Sequence, residues 1–122
     1  MEEKRSVLLV DDEESSRKVF SAILAKAGYL VDEAANGMDA LEKARAKRYD
    51  VALVDIKLPD MEGTELLLRL PKTSEMVKIV VTGFSTTENA VKASDCGADD
   101  FLVKPVDPEE LLRSIRDRLA LL

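Results

Sequence analysis

The stretch Ser6-Val7-Leu8-Leu9-Val10-Asp11-Asp12 decides how the rest of the chain is read. A short aliphatic run stops at two adjacent carboxylates. Three later runs repeat the pattern: Val51–Val54 meets Asp55, Val77–Val81 meets Thr82, and Phe101–Val103 meets Lys104. Short runs rich in β-branched residues, with helical patterns between them, read as buried strands of a parallel sheet. In an open α/β sheet the crevice lies beyond the carboxyl ends of the strands. Three carboxylates, a hydroxyl and an ammonium are therefore expected at one sheet edge. Such a cluster suits a divalent cation together with a phosphoryl group.

Between these runs the period changes from strand to helix. The first strand is expected at about Val7–Val10. Ser15–Lys26 follows as a helix with Val19, Phe20, Ile23 and Leu24 on one face, and Gly28 marks its stop. Tyr29–Ala34 is a more polar strand, which places it at an edge. Asn36-Gly37 signals the next turn, and Met38–Lys47 the next helix, with Ala40, Leu41 and Ala44 inward. After the strand Val51–Val54, a loop through Pro59 and Gly63 leads to a helix at Thr64–Leu70, which Pro71 ends. The tight segment Leu70–Met76 implies that this third helix is short. Lys78–Val81 is the fourth strand, Thr86–Ser94 a modest helix closed near Gly97, and Asp100–Val103 the fifth strand. Asp107 or Pro108 opens the last helix, whose stripe is Leu111, Leu112, Ile115 and Leu119. Strict alternation implies right-handed βαβ crossovers around a parallel sheet.

Composition narrows the function classes. With 122 residues, of which 46% are hydrophobic, one domain over residues 1–122 with one real core is expected. A formal net charge of −6 argues against direct nucleic-acid binding and against anionic membranes. Cys96 is the single cysteine, so no intrachain disulfide forms; a reducing, cytosolic compartment is the simplest reading, and a small residue in a helix C-terminal turn explains Cys96 better than redox chemistry. No signal peptide or membrane-length apolar run is read in the sequence, and a cytoplasmic location is the expectation that goes with the single cysteine. The chain has no histidine, which removes any internal imidazole base or ligand.

The chemistry follows from the strand ends. For Asp11 and Asp12 the simpler reading is capping of the first helix, beside Glu13, Glu14 and Ser15. That explains the two aspartates less well if Asp55 shares their space. Three carboxylates a few ångströms apart repel, and a bound cation relieves this. Mg²⁺ takes oxygen ligands, commonly one or two carboxylates plus a phosphate and waters. Without histidine or a cysteine cluster, zinc is not a competitor. Asp55 can act as a nucleophile toward phosphorus and form an aspartyl phosphate. Lys104 and the metal can neutralise charge on the transferring group, and Thr82 with backbone amides can hydrogen-bond its oxygens. Pro105 fixes the backbone beside Lys104, and a cis bond there is one way to aim the lysine.

Four pieces carry a resemblance: LLVDDEE (Leu8–Glu14), VDIKLPDMEG (Val54–Gly63), VVTG (Val80–Gly83) and DDFLVKP (Asp99–Pro105). Each is weak alone. In this order, each at a strand end, they resemble the response-regulator receiver domain over essentially the whole chain. The resemblance implies a flavodoxin-like, doubly wound (βα)5 fold with strand order 2-1-3-4-5. It implies that Asp55 is the phosphoacceptor. Asp11, Asp12, Asp55 and the carbonyl of Lys57 would hold Mg²⁺, and Thr82, Gly83 and Lys104 would bind the phosphoryl group. The phosphodonor would be a sensor histidine kinase or a histidine phosphotransfer protein. Thr82 and Phe101 would form the switch that reshapes the face of the fourth helix, fifth strand and fifth helix, toward an output domain, a downstream partner or a second copy. Lys57 and Phe84 would tune hydrolysis, with Phe84 limiting the attacking water. Such a domain is a phosphoacceptor that phosphorylates and dephosphorylates itself, not an enzyme acting on other substrates.

Phe101 departs from the family, which often has tyrosine there. A phenyl ring donates no hydrogen bond, so a switch at Phe101 rests on packing, and plain core is an equal reading. Competing classes fit less well. An aspartate-nucleophile phosphatase of the haloacid dehalogenase type separates its two aspartates by one residue and usually carries a cap domain. A flavin phosphate wants a Ser-, Thr- and Gly-rich loop, where this chain is acidic. A phosphorylation-independent docking module would not need the complete Asp, Thr and Lys set.

Overall fold

The structure is a computed structural model that describes residues 4–71 and 75–122. Its elements alternate strictly: β1 (Ser6–Val10), α1 (Glu14–Lys26), β2 (Leu30–Ala34), α2 (Gly37–Ala46), β3 (Val51–Val54), α3 (Gly63–Arg69), β4 (Val77–Thr82), α4 (Thr87–Asp95), β5 (Asp100–Val103) and α5 (Pro108–Ala120). The strands form one parallel sheet in the order β2-β1-β3-β4-β5. The doubly wound arrangement expected from the sequence is the one observed. Residues Lys72 to Ser74, within the tight segment Leu70–Met76, lie outside the described residues.

Alternation along each strand divides the core into two layers. Leu8, Val10, Ala52, Val54 and Val80 point to one face, where they meet Ala40 and Leu41 of α2, Leu66 and Leu67 of α3, and Ala93 of α4. Val7, Leu9, Val51, Leu53, Ile79 and Val81 point to the other, against Phe20 and Leu24 of α1 and Leu111 and Ile115 of α5. β1, β3 and β4 are buried on both faces, which is why they carry almost no alternation in sequence. β2, at the edge, alternates only weakly, and its polar residues are half-exposed or exposed.

The helix ends follow their local chemistry. Gly28 has φ +98°, a conformation that suits glycine, and the amide of Tyr29 returns to the Leu24 carbonyl at 3.0 Å. Asn36 accepts from the Asp39 amide at 2.8 Å and caps α2. Thr86 caps α4, and Asp107 followed by Pro108 opens α5.

One polar tie at the β2 edge is strong enough to test. The buried Tyr49 donates its hydroxyl to Asp32 Oδ2 at 2.6 Å. That bond leads the causes holding Asp32 below the usual carboxylate range, with Lys47 at 3.1 Å adding to it. Burial and the same bond push the Tyr49 phenol up. A depressed carboxylate stabilises the fold above its unfolded value, near 3.9, and loses that contribution as pH falls through its folded value. Tyr49→Phe is expected to cost about 1 kcal/mol at pH 7. The gap from the parent in urea midpoints should narrow below about pH 4. Equal midpoints at pH 7 would show the bond to be idle.

Candidate functional site

The carboxyl ends of β1, β3, β4 and β5 bring four of the expected side chains into direct contact. Register explains this: Val10 pairs with Val54, Val54 with Val80, and Thr82 with Val103. The residues just past the strands therefore sit side by side. Lys104 Nζ donates to Asp11 Oδ2 at 2.6 Å and to Asp55 Oδ2 at 2.9 Å. Thr82 Oγ1 donates to Asp55 Oδ1 at 2.7 Å. Both carboxylate oxygens of Asp55 are thus engaged, one by a cation and one by a hydroxyl. The Phe84 amide in turn donates to Thr82 Oγ1 at 3.2 Å, which ties the β4–α4 loop to that hydroxyl.

Burial makes these contacts consequential. The side chains of Asp11 and Asp55 are 4% and 9% exposed, and that of Lys104 is 22% exposed. Burial by itself draws the Lys104 ammonium toward neutrality. The hydrogen bonds and charges of Asp11 and Asp55 outweigh it, and the net displacement is upward. Lys104 stays protonated at neutral pH, as a countercharge between two carboxylates. The Lys104-Pro105 bond is cis, the isomer considered from the sequence.

The remaining expected residues surround this group. Asp12 is exposed, and among the described residues no three acidic, histidine or cysteine side chains are grouped closely enough to hold a metal ion. Of the three expected carboxylates, Asp11 and Asp55 share one ammonium, and Asp12 stands exposed. The reason is local. The Asp11 amide still bonds to the Ala34 carbonyl at 3.1 Å, extending the strand by one residue, whereas Asp12 lies beyond it. Asp11 also braces the turn into α1, because its Oδ1 accepts from the Glu13 amide at 3.0 Å while its Oδ2 faces Lys104; α1 itself has no side-chain cap. Lys57, Gly83 and Phe84 are exposed around the site, and Lys57 Nζ lies 5.3 Å from the centre of the Phe84 ring, within cation–π range. Phe101 is half-buried and packs against the core layer of α2, α3 and α4. Cys96 is half-buried at the end of α4, packed on the same layer.

The donor set fits a hard divalent cation. Two carboxylate oxygens already converge on one cation, the Lys104 ammonium, and all available donors are oxygens. Mg²⁺ needs no more carboxylates than this, since it retains several waters.

Three further residues support the site without having been assigned to it from the sequence. Arg17 Nη1 donates to the Asp11 backbone carbonyl at 2.7 Å, and its Nε pairs with Glu33 at 3.2 Å. The ring of Phe20 lies 5.9 Å from Lys104 Nζ. Asp60 reaches from the β3–α3 loop to α2, accepting from the Gly37 amide at 2.8 Å and the Met38 amide at 2.9 Å.

Comparison with known proteins agrees with this geometry. The sequence model of the response regulator receiver domain matches residues 7–116. Response regulator ArlR of Staphylococcus aureus is 36% identical over 110 residues, which is 90% of this chain and 50% of that protein. The chain spans half or less of the length of the first curated relatives it matches. A CheY-like response regulator receiver domain protein of Methanospirillum hungatei superposes with a TM-score of 0.92 at 41% identity, covering 98% of this chain and 96% of that one. The receiver domain of sensor histidine kinase PA1611 of Pseudomonas aeruginosa superposes with a TM-score of 0.87 at 26% identity, covering 97% and 99%. That domain has a magnesium ion coordinated in its active-site cleft. With its sheet order, its strand-end cluster and a family match from Val7 to Arg116, this chain belongs to the response regulator receiver domain family of two-component systems.

Proposed function

We propose that Asp55 accepts a phosphoryl group from a phosphohistidine, carried by a sensor histidine kinase or a histidine phosphotransfer protein. The observation that carries this reading is the pair of hydrogen bonds that hold the Asp55 carboxylate between Lys104 and Thr82. One carboxylate oxygen forms the new P–O bond, and the P–N bond breaks. The electron pair leaves with the imidazole nitrogen, which takes up a proton. The product is an aspartyl phosphate and a neutral histidine.

Asp11, Asp12, Asp55 and the carbonyl of Lys57 would hold Mg²⁺, as oxygen donors of the type that ion takes. The ion supplies charge neutralisation on the phosphoryl oxygens. The rest is the work of the chain itself. Lys104 already faces Asp55 as a protonated ammonium and passes to a phosphoryl oxygen. The Thr82 hydroxyl and the backbone amide of Gly83 donate to others. When the Thr82 hydroxyl leaves the Asp55 carboxylate, the Phe84 amide bonded to it must follow or let go. The two states then differ by contacts at one hydroxyl, which is what a shift of population requires. Phe101 joins the change by repacking against the α4 side of the core, and the α4-β5-α5 face carries the signal to an output domain, a partner or a second copy. The domain works in the cytoplasm as a phosphoacceptor, not as an enzyme on other substrates, and binds neither nucleic acid nor membrane directly.

Incubation with acetyl phosphate and Mg²⁺, followed by intact mass measurement, tests this. A gain of one acid-labile phosphoryl group is expected. Turnover of many equivalents of a phosphate ester would instead indicate a phosphatase, and no gain at all a docking module. Phe84, about half-exposed and paired with Lys57, also shields the phosphoryl group from water in this reading. Phe84→Glu introduces a base at that edge. It is expected to speed phosphate loss about tenfold, short of the full effect of a well-positioned base. A half-life no shorter than the parent's would remove the shielding role.

A further inference from the structure

We infer that Asp60 is a positioning residue for the candidate site, clamping the β3–α3 loop onto the N-terminus of α2. This rests on the receiver reading of Asp55 and Lys57 given above, and adds a residue which that reading does not include.

The loop from Asp55 to Gly63 is fixed at two places. At its base, the Gly63 amide donates to the Ile56 carbonyl at 2.6 Å, and Lys57 bridges to Glu62 in antiparallel fashion. Gly63 packs so closely that a Cβ there would stand 2.1 Å from the Asp55 carbonyl oxygen. At its tip, Asp60 accepts from two successive amides of α2, one on each carboxylate oxygen. Those two bonds lead the causes that hold Asp60 below the usual carboxylate range. Beside them the Met61 side chain lies against Gly37, so tightly that a Cβ on Gly37 would fall 2.4 Å from its sulfur.

The consequence is geometric. Lys57, whose carbonyl is the proposed backbone ligand, belongs to the closed base and lies three residues before the clamped tip at Asp60. With Asp60 in place, the tip of the loop is held to a ten-residue helix that itself packs on the core through Ala40 and Leu41. Without it, the base alone defines where the carbonyl stands. A partner that positions a metal ligand from outside commonly alters metal affinity by one to two orders of magnitude.

Asn36 provides an internal control. It caps the same helix through the Asp39 amide and touches no residue of the β3–α3 loop by any hydrogen bond described. Asp60→Ala and Asn36→Ala each remove a cap from α2 and should lower the melting temperature by a few degrees. Only Asp60→Ala is expected to weaken Mg²⁺ binding, by about tenfold in titration calorimetry with Mg²⁺ alone. It should also slow phosphoryl uptake from acetyl phosphate at limiting Mg²⁺, with the rate recovering at saturating Mg²⁺. Asp60→Asn keeps one acceptor oxygen and should lie between parent and alanine variant. Should Asp60→Ala not yield folded protein, Asp60→Asn against Asn36→Ala decides the question. Equal Mg²⁺ affinities in the Asp60 and Asn36 variants would overturn the inference. A parent protein that takes up no phosphoryl group would instead overturn the function proposed for Asp55, and the Mg²⁺ titration would still decide the clamp.

Discussion

Asp55→Asn is expected to reduce phosphoryl uptake from acetyl phosphate to nothing, while leaving the protein folded. The loss is chemical: an amide oxygen is a poor nucleophile, and no second carboxylate is placed to substitute. Asp11 holds its Oδ1 on the Glu13 amide and its Oδ2 on Lys104, and Asp12 is exposed. The fold should survive because an Asn carbonyl can still accept from Lys104 or Thr82. One buried negative charge is also removed from a group of two carboxylates and one ammonium. The variant should therefore lose no more than about 1 kcal/mol relative to the parent. Intact mass and a urea melt on the same sample separate the two effects. A phosphoryl adduct persisting in Asp55→Asn would assign the acceptor elsewhere.

The second large effect is on stability. Lys104→Met replaces the ammonium with an apolar chain of similar length and leaves two buried carboxylates facing one another. Removing one partner of a buried charged group typically costs 3–5 kcal/mol, and partial exposure of Lys104 favours the lower end, about 3 kcal/mol. For a chain of this size that corresponds to roughly 10 °C in melting temperature. The penalty is expected in chelator and should shrink on adding Mg²⁺, whose binding at 100 times its Kd contributes about 2.7 kcal/mol. In the parent the same addition should raise the melting temperature less, since the two oxygens already share an ammonium. The sign with pH is set by the upward displacement of Lys104. Its contribution is complete below the ordinary lysine value near 10.4 and disappears as pH rises through its higher folded value. Identical melting of variant and parent in chelator would mean that the shared ammonium does not stabilise the fold.

Much of this architecture is legible in the residues themselves. β1 and β3 announce themselves because double burial leaves aliphatic runs ended by charge. β2 reads as an edge because Asp32 and Glu33 interrupt it. β4 proves longer than the expected Lys78–Val81, because Val77 pairs with Val51 and Thr82 with Val103, and pairing rather than hydropathy sets those limits. The adjacency of Asp11 and Asp12 does not tell that the first is buried against Lys104 and the second exposed, since that depends on where the strand ends. Arg17 and Asp60 were not legible as supports, since their partners include backbone groups whose position only the fold reveals. Asp60 lies 22 and 23 residues from the amides it accepts from. Asp in a Pro-containing loop signals a turn, not a cap on a distant helix.

The function proposed for this chain depends on Asp55 supplying the oxygen that bonds to phosphorus in a Mg²⁺-dependent reaction. Borohydride reduction of the acetyl phosphate-treated parent, followed by peptide mass mapping, reads that site directly. The expected result is a single reduced aspartate at position 55, present with Mg²⁺ and absent with chelator. Reduction at another aspartate, or at Asp55 to the same extent in chelator, would contradict it.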